Sequence, residues 1–195
     1  MRYLLGAAMV MCCLLGGISA QADKSQASLP ADSLYRMTVP LTNQQGAKLE
    51  LGDLAGKPAL ITMFYGNCAV ACPVTLHSVQ SIVNSLPAEQ RGELTVLLLS
   101  LDPAKDTAAT LQGLAKTQQM QDTPYLFAVG KNERDTRALA AALGIRYRRL
   151  SNGEINHSSR LVVTNAQGQI NFTSDNLAPA GDPAVRNALT HMLVH

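Results

Sequence analysis

"PALITMFYGNCAVACPVTLHSVQSIVNSLP", Pro58 to Pro87, decides how this chain folds. Its first eight residues, Pro58 to Tyr65, are almost continuously apolar, as in a strand buried on both faces. Pro73 suits the first turn of a helix, and Leu76, Val79, Val83 and Leu86 then recur at spacings of three and four. The pattern predicts a helix that stops near Pro87. A buried strand therefore turns directly into an amphipathic helix, and the turn carries Cys68 and Cys72, four residues apart.

The same alternation continues downstream. "ELTVLLLSL", Glu93 to Leu101, reads as a second buried strand. "DPAKDTAATLQGLAKTQ" follows as a helix, with Thr107 as cap and Leu111 and Leu114 on one face. "PYLFAVG" is a third strand, and "NERDTRALAAALG" a third helix that Gly144 is placed to end. "IRYRRLSNGEINHSSRLVVTNAQGQINFTSD" reads as strand segments around the turns "SNG" and "AQG". Asp182 and Pro183 open a last helix with a Val185, Leu189, Met192 stripe. Upstream, "YRMTVPLTNQQGAKLELGDLAGK" suggests a small hairpin, and Pro40 argues against a central strand there. The expected architecture is an α/β fold, a mixed sheet with helices on its faces, in one domain without internal repeats.

The amino terminus reads differently. One basic residue, Arg2, precedes an apolar run from Leu4 to Ile18, and "AQA" ends at Ala22. That order describes a signal peptide over residues 1–22, or a membrane anchor if it is not cleaved. A polar, irregular leader over 23–34 and a domain over 35–195 complete the expected organisation. Cleavage would remove two of the four cysteines, Cys12 and Cys13, and leave Cys68 and Cys72. The expected location is exported, in the periplasm. The formal charge of +2 points to no particular partner. Arg146, Arg148 and Arg149 lack interleaved aromatics and read as a solvated strand face, so no nucleic acid is expected as partner.

An exported cysteine pair is open to oxidation, but a loop this small adds little as a staple. Sites in open α/β sheets gather beyond the carboxyl ends of strands, where this pair falls. If the helix begins near Cys68, the two thiolates lie on one side of it, and a helix start favours thiolate over thiol. Two chemistries fit: thiol–disulfide exchange, with one thiolate attacking and the other resolving, or carriage of a soft metal such as copper(I). Two sulfurs make an incomplete site for zinc. A third ligand would come from His77, His157, His191 or His195. His77 lies five residues past Cys72 and reads as solvent-exposed, and His191 and His195 sit near an end prone to fray. His157, between "SNGE" and "LVV", reads as a histidine on an exposed loop.

"FYGNCAVACP" resembles the CxxxCP signature of the SCO/SenC family of copper-binding, thioredoxin-like proteins, through Phe64, Cys68, Cys72 and Pro73. "LLSLDPAKDTAATL" is similar to the family's Asp-Pro and Asp-Thr block, through Ser100, Asp102, Pro103, Asp106 and Thr107. "NHSSRLVVTNAQG" resembles its His-Ser segment, with His157 and Ser158. The likeness runs from about Tyr35 to Met192. It implies a thioredoxin-like fold, copper(I) as the metal, and Cys68, Cys72 and His157 as its ligands. It also implies delivery to an exported or membrane cuproprotein, a cytochrome oxidase subunit in particular. A thiol–disulfide partner, with Cys68 and Cys72 as catalytic residues of a reductase, is the alternative; a redox or copper sensor is another. Departures fall at Ala69, where the family has proline, in the cysteine loop, which lacks an acidic residue, at Asn156, where aspartate is common, and at Ala108.

Overall fold

Three strands of six residues each, β3 (Ala59–Phe64), β4 (Thr95–Ser100) and β5 (Tyr125–Gly130), run parallel at the centre of a seven-stranded sheet. The computed structural model describes residues 29–66 and 71–194, with residues 71 and 72 as backbone alone. Every residue of β3 is buried, as its unbroken apolar run predicts for a strand covered on both faces. β3 and β4 pair from Ala59↔Thr95 to Phe64↔Ser100, so their carboxyl ends finish level. Phe64 meets Phe127 of β5 edge to face, with ring centroids 5.6 Å apart, inside the core.

The sheet grows antiparallel on both sides of this centre. β1 (Leu41–Asn43) and β2 (Lys48–Leu49) form the expected hairpin, and β1 joins β5. Pro40 stands just outside the strand, so no ladder bond is lost, and β1 lies inside the sheet rather than at its edge. β8 (Leu161–Thr164) joins the other side of β3, and β9 (Ile170–Ser174) joins β8. The strand order is β2-β1-β5-β4-β3-β8-β9. β6 (Tyr147–Arg149) and β7 (Ile155–His157) form a separate two-stranded ribbon, turned at Gly153, whose φ is +85°.

Among the described residues, five α-helices accompany the sheet, besides short 3-10 turns at Leu34–Arg36 and Leu51–Leu54. In α1 (Ala71–Asn84), Leu76, Val79, Ile82 and Val83 are buried on one stripe. The helix stops at Asn84, slightly before Pro87, which instead leads into the short α2 (Ala88–Gly92). α3 (Ala108–Thr117) is capped as expected, the Thr107 side chain accepting from the Thr110 amide and Leu111 reaching the core. α4 (Glu133–Ala142) gains a cap from Asn132, which accepts from the Asp135 amide. α5 (Pro183–Val194) starts where Asp182 accepts from the Ala184 amide, and it buries Val185 and Leu189. Gly168, with φ +78°, admits the Tyr35 ring so closely that a Cβ would lie 2.5 Å from it. The expected α/β class holds: this is a thioredoxin-like mixed sheet with helices packed against it. The signal peptide expected at 1–22 lies outside the described residues. Among the described residues, no helix is long and apolar enough to cross a membrane.

Candidate metal centre

The carboxyl ends of β3 and β4 carry a polar network in an otherwise apolar surrounding. Asp102 and Asp106 follow β4 and are 2% and 6% exposed. The Ser100 hydroxyl donates to Asp106 Oδ2 and accepts from the Asp102 amide at 2.9 Å. The Gly66 amide, two residues past β3, donates to the same Asp106 Oδ2 at 3.0 Å. A Cβ on Gly66 would stand 2.6 Å from Asp106 Oδ1, so the close approach requires glycine here. Asp106 thus fastens the backbone just ahead of the cysteine segment to the loop after β4.

Cys68 itself lies outside the described residues, as does the Cys72 side chain. The backbone of Cys72 falls in the first turn of α1, which begins at Ala71. Among the described residues, no three histidine, cysteine or acidic side chains gather as a metal cluster. His77 is exposed on α1, as expected.

His157 departs from its expected setting. It ends strand β7 rather than standing on an exposed loop, and it is half-buried. The register explains why. Tyr147 pairs with His157, Arg148 with Asn156, and Arg149 with Ile155. Paired residues share a face and neighbours alternate, so Tyr147, Arg149, Ile155 and His157 share the face opposite Arg148 and Asn156. Ile155 is 5% exposed on the packed side, and the His157 ring meets Tyr65 edge to face at 5.9 Å.

The two imidazole nitrogens have different surroundings. Nδ1 lies 3.1 Å from the Ser158 carbonyl oxygen. A carbonyl only accepts, so Nδ1 carries the proton in this contact and Nε2 presents its lone pair. Nε2 is buried and has no hydrogen-bond partner among the described residues. Burial also pushes the imidazole pKa below its ordinary value, against a smaller upward pull from the Ser158 carbonyl. The ring is therefore neutral at neutral pH. A buried, unpaired, unprotonated nitrogen is costly in a finished core and suits a metal ligand.

Sequence reasoning missed Arg149. It is exposed, as expected of a solvated face, but it also forms an unexpected two-point ion pair with buried Asp102, Nη2 to Oδ1 at 2.8 Å and Nη1 to Oδ2 at 3.3 Å. Tyr147 is held from the other side, its hydroxyl donating to Glu133 Oε1 at 3.0 Å with Arg137 5.3 Å above its ring. Tyr65 was also missed, since nothing in the sequence pairs it with a histidine 92 residues later. Arg148 keeps the solvated position expected of the cluster and, with Arg146 and His157, lines an open groove of about 370 Å³.

The fold and this strand-end site define a thioredoxin-like protein with a histidine-bearing ribbon set against Tyr65, just past the end of β3. The family model for SCO1/SenC matches residues 31–190, and the chain belongs to that family. A putative copper-binding protein of Stutzerimonas stutzeri is 25% identical over 134 residues, which cover 67% of this chain and 64% of that protein. The match thus spans less than two thirds of that relative. A putative electron transfer protein from Aquifex aeolicus superposes with a TM-score of 0.70 at 21% identity, covering 85% of this chain and 91% of its own. Bradyrhizobium japonicum ScoI with copper bound gives 0.66 at 19%, covering 79% and 96%. Yeast Sco1 with copper bound gives 0.66 at 17%, covering 80% and 86%. At these identities the superpositions are likenesses of fold.

Proposed function

We propose that this chain carries copper(I) on the Cys68 and Cys72 thiolates and the His157 imidazole, and delivers it to an exported or membrane cuproprotein, foremost a cytochrome oxidase subunit. The observation that carries the reading is the buried lone pair of His157 Nε2, which no described residue satisfies. The donor chemistry supports the same metal. Two soft thiolates and a neutral imidazole favour copper(I) over hard, oxygen-seeking ions. Family membership supports it further, as does the copper-binding description of the Stutzerimonas relative. The sequence of residues 1–22 supports export, which delivery to an exported client requires.

The test is competition against a copper(I) chelator under reducing conditions, with zinc as control. Reduced wild type should hold one copper(I), and Cys68→Ser, Cys72→Ser and His157→Ala should each weaken it, the cysteine variants most. Binding by His157→Ala equal to wild type would remove His157 from the ligand set. A protein that retains no copper(I) when reduced would end the carriage reading.

A second reading has its own support. Cys72 lies in the first turn of a helix of 14 residues, where the backbone favours a thiolate. The pair would then reduce the disulfide of a partner, its own two thiols becoming the Cys68–Cys72 disulfide as the partner's cysteines take up the electrons and protons. Turnover in an insulin-reduction assay, with no copper retained, would favour this reductase over the carrier.

A further inference from the structure

The ribbon that bears His157 is not part of the main sheet. Two strands of three residues have little stability alone, so whatever fastens the ribbon also sets the position of His157. One fastening joins the two halves of the site. Arg149 grips both oxygens of Asp102; the Asp102 amide donates to Ser100 Oγ; the Ser100 hydroxyl donates to Asp106; and Asp106 accepts from the Gly66 amide. Gly66 stands two residues before Cys68, and Arg149 stands across the ribbon from Ile155, two residues before His157. A continuous hydrogen-bonded chain of five residues therefore links the segment entering the cysteine turn to β6, the strand paired with the one that ends in the histidine.

We propose that Arg149 and Asp102 are positioning residues for His157, holding the ribbon so that its imidazole is set beside Tyr65 before any metal arrives. This rests on the copper-carriage reading for its purpose, but the ion pair and the ring contact it is argued from involve the chain's own residues alone. Arg149 suits the task for three reasons. Its guanidinium is planar and spans a carboxylate at two points, which fixes direction as well as distance. Asp102 is buried, with its side chain 3% exposed, so the carboxylate end of the pair is shielded from water although the Arg149 side chain is 37% exposed. And Arg149 lies on the ribbon face shared with His157, so its anchoring restrains that face. Arg148, one residue earlier, lies on the opposite face and is exposed. It provides a control of equal charge.

The experiment compares Arg149→Gln, Arg149→Lys, Asp102→Asn and Arg148→Gln in the full chain. The metal-free readout is the NMR contact between the Tyr65 and His157 rings, with the His157 imidazole shifts. Arg149→Gln and Asp102→Asn should weaken or abolish that contact while the core spectrum persists. Arg149→Lys should restore it in part, and Arg148→Gln should leave it intact. The metal readout is copper(I) competition. Arg149→Gln should lose about 10-fold in affinity or more, as expected for a residue that orients a ligand. In a His157→Ala background the same substitution should add little, because its effect passes through His157. If Arg149→Gln fails to fold, Asp102→Asn, which removes the buried charge together with the ion pair, carries the same comparison. An unchanged ring contact in a folded Arg149→Gln protein overturns the proposal, as does an equal loss of affinity with and without His157. Should wild type bind no copper(I), the carriage reading falls alone, since the ring contact still decides the positioning role.

Discussion

Replacing Asp106 with alanine should destabilise the protein strongly, for reasons that can be read from one oxygen atom. Asp106 Oδ2 accepts both the Gly66 amide, at 3.0 Å, and the Ser100 hydroxyl. Bonds to an ionised acceptor contribute about 1.5–3 kcal/mol each, and an abandoned buried donor costs about 1–3 kcal/mol. Two bonds would give roughly 3–6 kcal/mol. Two effects offset this: the buried carboxylate no longer has to be desolvated, and the Ser100 hydroxyl is free to rotate toward another acceptor. A net loss of about 3 kcal/mol follows. With an m-value of about 2 kcal/mol/M for urea, the unfolding midpoint of Asp106→Ala should fall by about 1.5 M at unchanged m. Asp106→Asn is the discriminating companion. Its amide oxygen, placed where Oδ2 lies, keeps both bonds and loses only the charge, so its shift should be less than half as large. Equilibrium urea unfolding followed by circular dichroism measures both. A midpoint for Asp106→Ala within about 0.3 M of wild type would refute the view that this carboxylate ties β3 to the loop after β4.

Other outcomes test other parts of the molecule. Because burial lowers the His157 pKa below its ordinary value, the unfolded chain takes up a proton near pH 6.5 before the folded chain does. The contribution of this residue is therefore present above pH 6.5 and is lost as pH falls through the lowered folded value. The stability advantage of wild type over His157→Gln should shrink between pH 7 and pH 5, and a constant difference in parallel melts would count against a desolvated imidazole. Oxidised wild type and the Cys68→Ser, Cys72→Ser double variant should melt close together, well short of the roughly 2–5 kcal/mol that a framework disulfide contributes; an unfolded double variant would mark the pair as a staple. Mass spectrometry of exported protein should find Asp23 at the amino terminus, with Gln21 as the other cleavage outcome, whereas a cytoplasmic chain beginning at Met1 would contradict export.

What the sequence determined by itself is what depends on near neighbours. The unbroken apolar runs of β3 and β4, the three-and-four stripe of α1, the Thr107 and Asp182 caps and the turns at Gly153 and Gly168 all express preferences that act within a few residues, and they were legible. The four-residue cysteine spacing was legible in the sequence too, with Cys68 outside the described residues. The family resemblance singled out Ser100, Asp102 and Asp106 without saying what they do, and His157 as a ligand without saying how it is held. Tertiary structure decided that. Asp102 and Arg149 lie 47 residues apart, Asp106 and Gly66 lie 40 apart, and no local pattern announces either meeting. Arg149 looked like its neighbours Arg146 and Arg148 because charge and spacing alone do not say which of three exposed arginines meets a distant carboxylate. His157 looked like a loop residue because three-residue strands carry almost no periodic signal. Its buried nitrogen exists only because the ribbon packs across the end of the sheet against Tyr65. Burial and long-range pairing are properties of how elements assemble, and they come into being only when the strand order brings distant segments to one edge.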